Sequence, residues 1–221
     1  RQFELTESQT FVWGVAFRNT DVEFEDTAYF EWEGDRHDQY LSGFLQDQIK
    51  LNDRTTFTAG VKLEDNPFTG LEVQPNLRLS YAPNDRTTWW GAISRAIQTP
   101  SEAYRSSRVF FDYVPDQGTG FNTSVVLNPG TGDTPESVIA FEGGVRRKLG
   151  TKGTLDISAY VNEYRDARVA TFGNVFPTAP GELELPVSFE GIGSFTTMGI
   201  EVASSYAIST NLVARGSYSF I

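Results

Sequence analysis

Along most of this chain polar and apolar side chains alternate one by one. In a β-strand residues i, i+2 and i+4 share a face, so a period of two marks a strand with one apolar and one polar side. The clearest run is 71–81. Its odd positions are Leu71, Val73, Pro75, Leu77, Leu79 and Tyr81; its even positions are Glu72, Gln74, Asn76, Arg78 and Ser80. Before it, Phe57, Ala59, Val61 and Leu63 oppose Thr56, Thr58, Gly60 and Lys62. The pattern recurs around Phe11–Phe17, Leu41–Leu51 (where Asp47 interrupts the apolar row), Ile139–Val145, Leu155–Val161, Met198–Val202 and Leu212–Phe220. Thr88 to Ile97 is strand-like with less distinct faces, and Gln2 to Leu5 reads as a short stub. The expectation is an all-β protein of about nine to ten antiparallel strands.

The connections alternate in length. Short polar turns fall at Glu7-Ser8, Asn52-Asp53-Arg54, 83–86, 150–153 and 209–211, rich in the Asn, Asp, Gly and Pro that tight turns favour. Longer connections are expected at about 24–39, 64–70, 98–133 and 171–195. Short turns on one side and long loops on the other are the mark of an up-and-down membrane barrel. Length agrees: a strand of about 11 residues rises roughly 36 Å and, tilted by about 45°, spans an apolar band of roughly 25 Å.

Composition narrows the choice. There is no run of 18 apolar residues, hence no membrane-spanning helix, but the mean hydropathy of -0.33 suits a barrel as well as a soluble protein. A net charge of -11 argues against nucleic acid as a partner. With no cysteine there is neither a disulfide framework nor a thiolate metal site. The sole histidine, His37, falls in the acidic stretch Asp21–Asp38 and in no nucleophile motif, so no enzyme and no catalytic residue is expected. That stretch holds Asp21, Glu23, Glu25, Asp26, Glu31, Glu33, Asp35 and Asp38 without the spacing of a calcium loop; it reads as a solvated surface loop, and no metal or cofactor is expected. A soluble β-sandwich or lipocalin-like barrel would also alternate, but its interior would be apolar. Here Glu72, Arg78, Glu142, Arg146, Glu201 and Arg215 all fall on the polar face, which suits a wet or plugged lumen. Trp13, Trp89 and Trp90 are candidates for interfacial aromatic girdles.

Several segments are familiar in order and spacing. These include Phe44-Leu45-Gln46-Asp47-Gln48-Ile49-Lys50-Leu51, Gln74-Pro75-Asn76-Leu77-Arg78-Leu79 and above all Trp90 to Ser101. The last contains Ser94-Arg95-Ala96-Ile97-Gln98-Thr99-Pro100-Ser101 and is similar to a strand ending that recurs in TonB-dependent outer-membrane receptors. Phe141–Arg146, Asp156–Tyr160, Met198–Val202 and Gly216–Phe220 resemble the strands that follow. The resemblance implies a 22-stranded barrel of the bacterial outer membrane, closed by an N-terminal plug and importing a scarce nutrient such as a ferric siderophore. Its partners would be the TonB complex, the ferric chelate or other nutrient, membrane lipids and lipopolysaccharide. On this reading residues 1–221 are a partial transmembrane β-barrel domain, the plug and the remaining strands lying outside it. A passive porin without TonB coupling is the alternative, a soluble β-sheet binding protein the second.

Ligand recognition is expected in the longest connection, 98–133. Its Tyr104, Arg105, Arg108, Phe110, Phe111 and Tyr113, with Phe121, combine ring faces and positive charge, as an anionic, ring-bearing ligand requires. Gly118, Gly120, Gly130, Gly132, Pro115 and Pro129 suit a folded cover.

Overall fold

The computed structural model describes residues 1–34, 36–130 and 134–221; Asp35 and Gly132, singled out above, lie outside the described residues. Ten strands build a continuous wall: β1 (Gln2–Thr6), β2 (Gln9–Val22), β4 (Arg36–Asn52), β5 (Thr55–Asn66), β6 (Gly70–Asn84), β7 (Thr87–Gln98), β10 (Glu136–Leu149), β11 (Gly153–Phe172), β13 (Glu182–Ser209) and β14 (Leu212–Phe220). Each pairs antiparallel with its neighbour in that order. The connections at one end are the expected short turns. Asn52 and Asn84 stabilise two of them, each side-chain oxygen accepting from the backbone N–H two residues on. Four further strands lie in connections at the other end: β3 (Phe30–Trp32), β8 (Ser107–Val114), β9 (Asn122–Leu127) and β12 (Phe176–Ala179), with one short helix, α1 (Glu102–Ser106).

Two of the expected long loops are strand instead. Between β5 and β6 only residues 67–69 turn, because the Asn66 side chain organises a tight hairpin. Its Oδ1 accepts from the Phe68 and Thr69 N–H groups, its Nδ2 donates to the Gly70 carbonyl, and Gly70 adopts φ 70°. Likewise 171–195 is mostly ladder: β11 runs to Phe172, β13 begins at Glu182, and β12 folds back on β13. Alternation continues through Glu182-Leu183-Glu184-Leu185, so pairing continues beyond any membrane-spanning length.

The sheet curls with its polar face inside, as contacts across it prove. Along the ladder β4 and β13 stand six steps apart, about 29 Å in a flat sheet at about 4.8 Å per step. Yet Glu102 and Tyr104, two residues apart in α1, reach both. Glu102 Oε1 lies 2.9 Å from Arg36 Nε of β4, and the Tyr104 hydroxyl donates to the Phe189 carbonyl of β13. Only a strongly curved wall allows this, and the face on which α1 lies carries Arg36, Asp38 and Tyr40. The expected orientation of 71–81 follows: Leu71, Val73, Leu77 and Leu79 point out from the convex face, Leu71 being 66% exposed, while Glu72 on the concave face is 9% exposed. Trp90 departs from expectation. It pairs with Ser80 and Gly144 on the concave side and its ring lies 4.7 Å from the Arg78 guanidinium, so it is lumen lining and not girdle. Trp13 and Trp89 are on the convex face.

The β6–β7 ladder ends at Asn76–Ser94, beside Pro75, which has no N–H to donate. Where the strands part, Arg95 passes its guanidinium through to the Val73 carbonyl, 2.6 Å, and to Glu72, 3.3 Å. The arginine of the recurring strand ending is therefore a clamp between two strands.

Gly144 on the concave face and Gly91 on the convex face differ. A Cβ on Gly144 would stand 2.6 Å from the Ile157 carbonyl oxygen and 2.9 Å from Trp90 Nε1, so only glycine fits there. On the convex Gly91 the nearest atom would be 3.7 Å away. We expect Gly144→Ala to destabilise the folded barrel by about 1–3 kcal/mol through overpacking, and Gly91→Ala to stay within about 0.5 kcal/mol. The urea midpoint of unfolding checks both; equal effects would contradict this packing.

Candidate ligand site at the long-loop end

The connection expected to recognise ligand is built from three short elements. Pro100 ends β7, Ser101 caps α1 by accepting from the Tyr104 N–H at 3.2 Å, and the chain passes directly into β8. The hairpin β8–β9 turns through Asp116, whose Oδ1 accepts from the N–H groups of Gly118, Thr119 and Gly120. Against slight desolvation those donors hold the Asp116 carboxyl below the usual carboxylate range. Gly118 and Gly120 take positive φ, as the expected folded cover requires. The hairpin then joins the wall: β9 pairs parallel with Glu182–Val187 of β13, and β8 pairs antiparallel with β3 from the first loop.

Arg108 is the knot of this arrangement. Its guanidinium donates to Glu31 of β3 at 2.8 Å, to Glu184 of β13 at 2.7 Å and to Asn128 at 3.2 Å, and it lies 4.8 Å from the Phe110 ring. Glu184 is buried, so Arg108 neutralises it and ties three segments together. Arg105 lies 5.1 Å from the Phe68 ring of the β5–β6 hairpin. Both arginines thus hold the loop in place. Among the rings, Phe111 is 75% and Tyr113 54% exposed, with Phe121 exposed at the hairpin tip.

Tyr104 is half-buried. With Thr99, Asn128, Glu136, Arg168 and Phe189 it lines a cavity of about 440 Å³ under α1. The Arg168 guanidinium lies 4.4 Å from the Tyr104 ring centre and 4.0 Å from Glu136. Gly130 closes over the ring, its N–H donating to the Tyr104 carbonyl; a Cβ there would overlap the ring. Arg168, Glu136 and Phe189 come from wall strands far apart in sequence, and only the sheet register brings them to Tyr104. Nothing local in the sequence marks them.

Most of the described acids in the acidic stretch are exposed, as expected of a solvated segment, and several make tertiary contacts. Glu31 holds Arg108, Asp26 accepts from the Trp32 N–H, and Asp21 contacts His37 Nδ1. His37 is thus in β4, paired with Asp21 of β2, and not in a loop. Among the described residues no group of acids or His is placed to hold a metal ion.

Glu102 lies over Asp38, accepting from the Ser106 hydroxyl at 2.6 Å and paired with Arg36. Burial, reinforced by the neighbouring Asp38, raises its carboxyl above the usual value despite Ser106 and Arg36. A raised carboxylate favours the docked state when protonated: the penalty is absent below the ordinary Glu value and grows as pH rises through the raised one. Docking of α1 should therefore tighten as pH falls from neutral towards the ordinary carboxylate range. Amide hydrogen exchange at Tyr104–Ser107, corrected for intrinsic pH dependence, should slow accordingly, and Glu102→Gln should remove the trend. A trend of opposite sign would contradict this.

Comparison with known proteins places the geometry. The family profile described as "TonB dependent receptor-like, beta-barrel" matches residues 1–221. Over 148 residues the chain is 26% identical to a probable TonB-dependent siderophore receptor, PirA, of Acinetobacter baumannii; the match covers 62% of this chain and 19% of that protein. A mutant of the ferric enterobactin receptor PfeA of Pseudomonas aeruginosa superposes with a TM-score of 0.77 at 17% identity, covering 96% of this chain and 32% of that one. The FrpB iron transporter of Neisseria meningitidis gives 0.64 at 15% identity, with 99% and 34% covered. The chain spans about a third of the length of these solved barrels.

Proposed function

This chain belongs to the TonB-dependent receptor β-barrel family, and from that premise we propose that it forms part of an outer-membrane transporter importing a ferric siderophore. The segment is a wall of the barrel, within a longer protein that supplies a plug and the TonB contact. Its convex face meets lipid and its concave face meets water or the plug. Relatives named as siderophore receptors support the substrate class, and one PfeA mutant, solved in complex with enterobactin, superposes with a TM-score of 0.70.

The observation that carries this reading is the cavity under α1, where Tyr104 and Arg168 meet on the concave side at the long-loop end. A ferric chelate of catecholate type is anionic and ring-bearing. Arg168 offers charge and the Tyr104 ring edge lines the cavity, while the exposed Phe111 and Tyr113 offer ring faces. Of the residues expected to bind ligand, this reading keeps Tyr104, Phe111 and Tyr113 as contacts, and Phe110 lies against the Arg108 guanidinium. Arg105 and Arg108 act by holding the loop.

The test uses the full receptor carrying this segment, with ferric enterobactin as probe. Arg168→Ala and Tyr104→Ala should each weaken binding by about tenfold, a loss of about 1.4 kcal/mol, with surface expression unchanged. Uptake should vanish in cells lacking TonB. Unaltered binding in both variants would move recognition elsewhere, and uptake without TonB would make the barrel a passive pore.

A further inference from the structure

We propose that the convex face carries a groove for one anionic phospholipid, an acyl chain lying over Gly91 and Gly143 and the headgroup phosphate meeting Arg147. The proposal rests on the membrane reading above. A groove of about 640 Å³ opens on this face, lined by Leu77, Leu79, Trp89, Gly91, Ile93 and Phe141. The ladder explains its shape. Beside Leu79, Gly91 leaves the groove's floor low, and its partners Gly143 and then Ala159 carry a strip of small residues on from the groove across the sheet.

Backbone geometry does not demand these glycines. Neither has positive φ, and a Cβ would meet its nearest atom at 3.7 Å on Gly91 and 3.5 Å on Gly143, ordinary contact distances. On the concave face Gly144, Gly60 and Gly199 are different: a Cβ there would come within 2.6–2.7 Å of neighbouring atoms. The convex strip is thus space that larger side chains could fill.

The charge beside it identifies the occupant. Two residues towards the short turns from Gly91, Trp89 pairs with Tyr81, forming an aromatic edge. The next outward row holds Arg147, paired with Thr87, about 13 Å from the Gly91–Gly143 row at about 3.3 Å per residue. Arg86 sits in the adjoining turn, where its carbonyl accepts from the Lys148 N–H. Among the described residues neither Arg86 nor Arg147 is in an ion pair. Hydrocarbon alone would not select a lipid, since surrounding lipid tails are equally apolar. Cations at girdle depth beside a shaped groove select a negatively charged headgroup.

The experiment is native mass spectrometry of the full receptor released from nanodiscs of equal phosphatidylglycerol and phosphatidylcholine. One phosphatidylglycerol should survive activation that strips the other lipids. Gly91→Val with Gly143→Val should cut its retention by about tenfold. Arg147→Ala, which leaves the strand packing intact, should equalise the two lipids. Unchanged retention in the glycine variant, a persisting preference in Arg147→Ala, or a co-purifying polypeptide in place of lipid would overturn the groove. Recovery of the receptor in the soluble cell fraction, read before any lipid is measured, would instead overturn the membrane reading and the groove with it.

Discussion

Every backbone N–H and C=O of a strand needs a partner, and hydrocarbon supplies none, so strands cross a membrane only in a closed ladder. Most other features here follow from meeting that demand. The wall strands run far enough for each to pair along its length, and alternation then sorts side chains between lipid and lumen. β13 carries the largest share. One side of it faces β11 and β12; the other takes β9 at Glu182–Val187 and β14 at Ile200–Ser209. A strand from a surface loop and a wall strand thus share one edge. Between them 188–199 has no strand on that side among the described residues.

The same demand explains the loop architecture. A long connection left unpaired would expose its own backbone, so 99–130 folds into α1, β8 and β9 and borrows ladder partners from β13 and β3. Charge then locks the assembly. In a chain with net charge -11, Arg36, Arg95, Arg108 and Arg168 each pair with a carboxylate from another element. At the long-loop end these arginines are ties. At the short-turn end Arg86 and Arg147 are left to face the surroundings.

What could be read from the sequence is what period and turn chemistry encode. The strand at 71–81 was legible because one slip of register would put Glu72 and Arg78 into lipid. The short turns were legible through Asn, Asp and Gly. Residues 64–70 read as a long loop through their polar residues with Pro67 and Gly70, and 171–195 through four glycines and three prolines; in fact the strands rise past the apolar band into water. Trp90 read as girdle because a two-residue run, Trp89-Trp90, cannot place both rings on one face, and composition does not say which turns inward. At the site, the arginine-and-aromatic content of 98–133 was visible. The roles were not: Arg108 is tied by Glu31 and Glu184, 77 and 76 residues away, and Tyr104 meets Arg168 only through the sheet.

The central claim is that one face of 71–81 meets lipid and the other the lumen, and the absence of cysteine from this chain makes it directly measurable. Cysteine is introduced singly at positions 71, 73, 74, 76, 77, 78 and 79 of the receptor, and cells are exposed to a membrane-impermeant maleimide and, separately, to a lipid-soluble one. The account predicts that 74, 76 and 78 react with the water-soluble reagent once the outer membrane is opened and the lumen is accessible. Positions 71, 73, 77 and 79 should react only with the lipid-soluble one. Uniform labelling by the water-soluble reagent along the segment would contradict a membrane wall, and the inverse alternation would contradict the assigned faces.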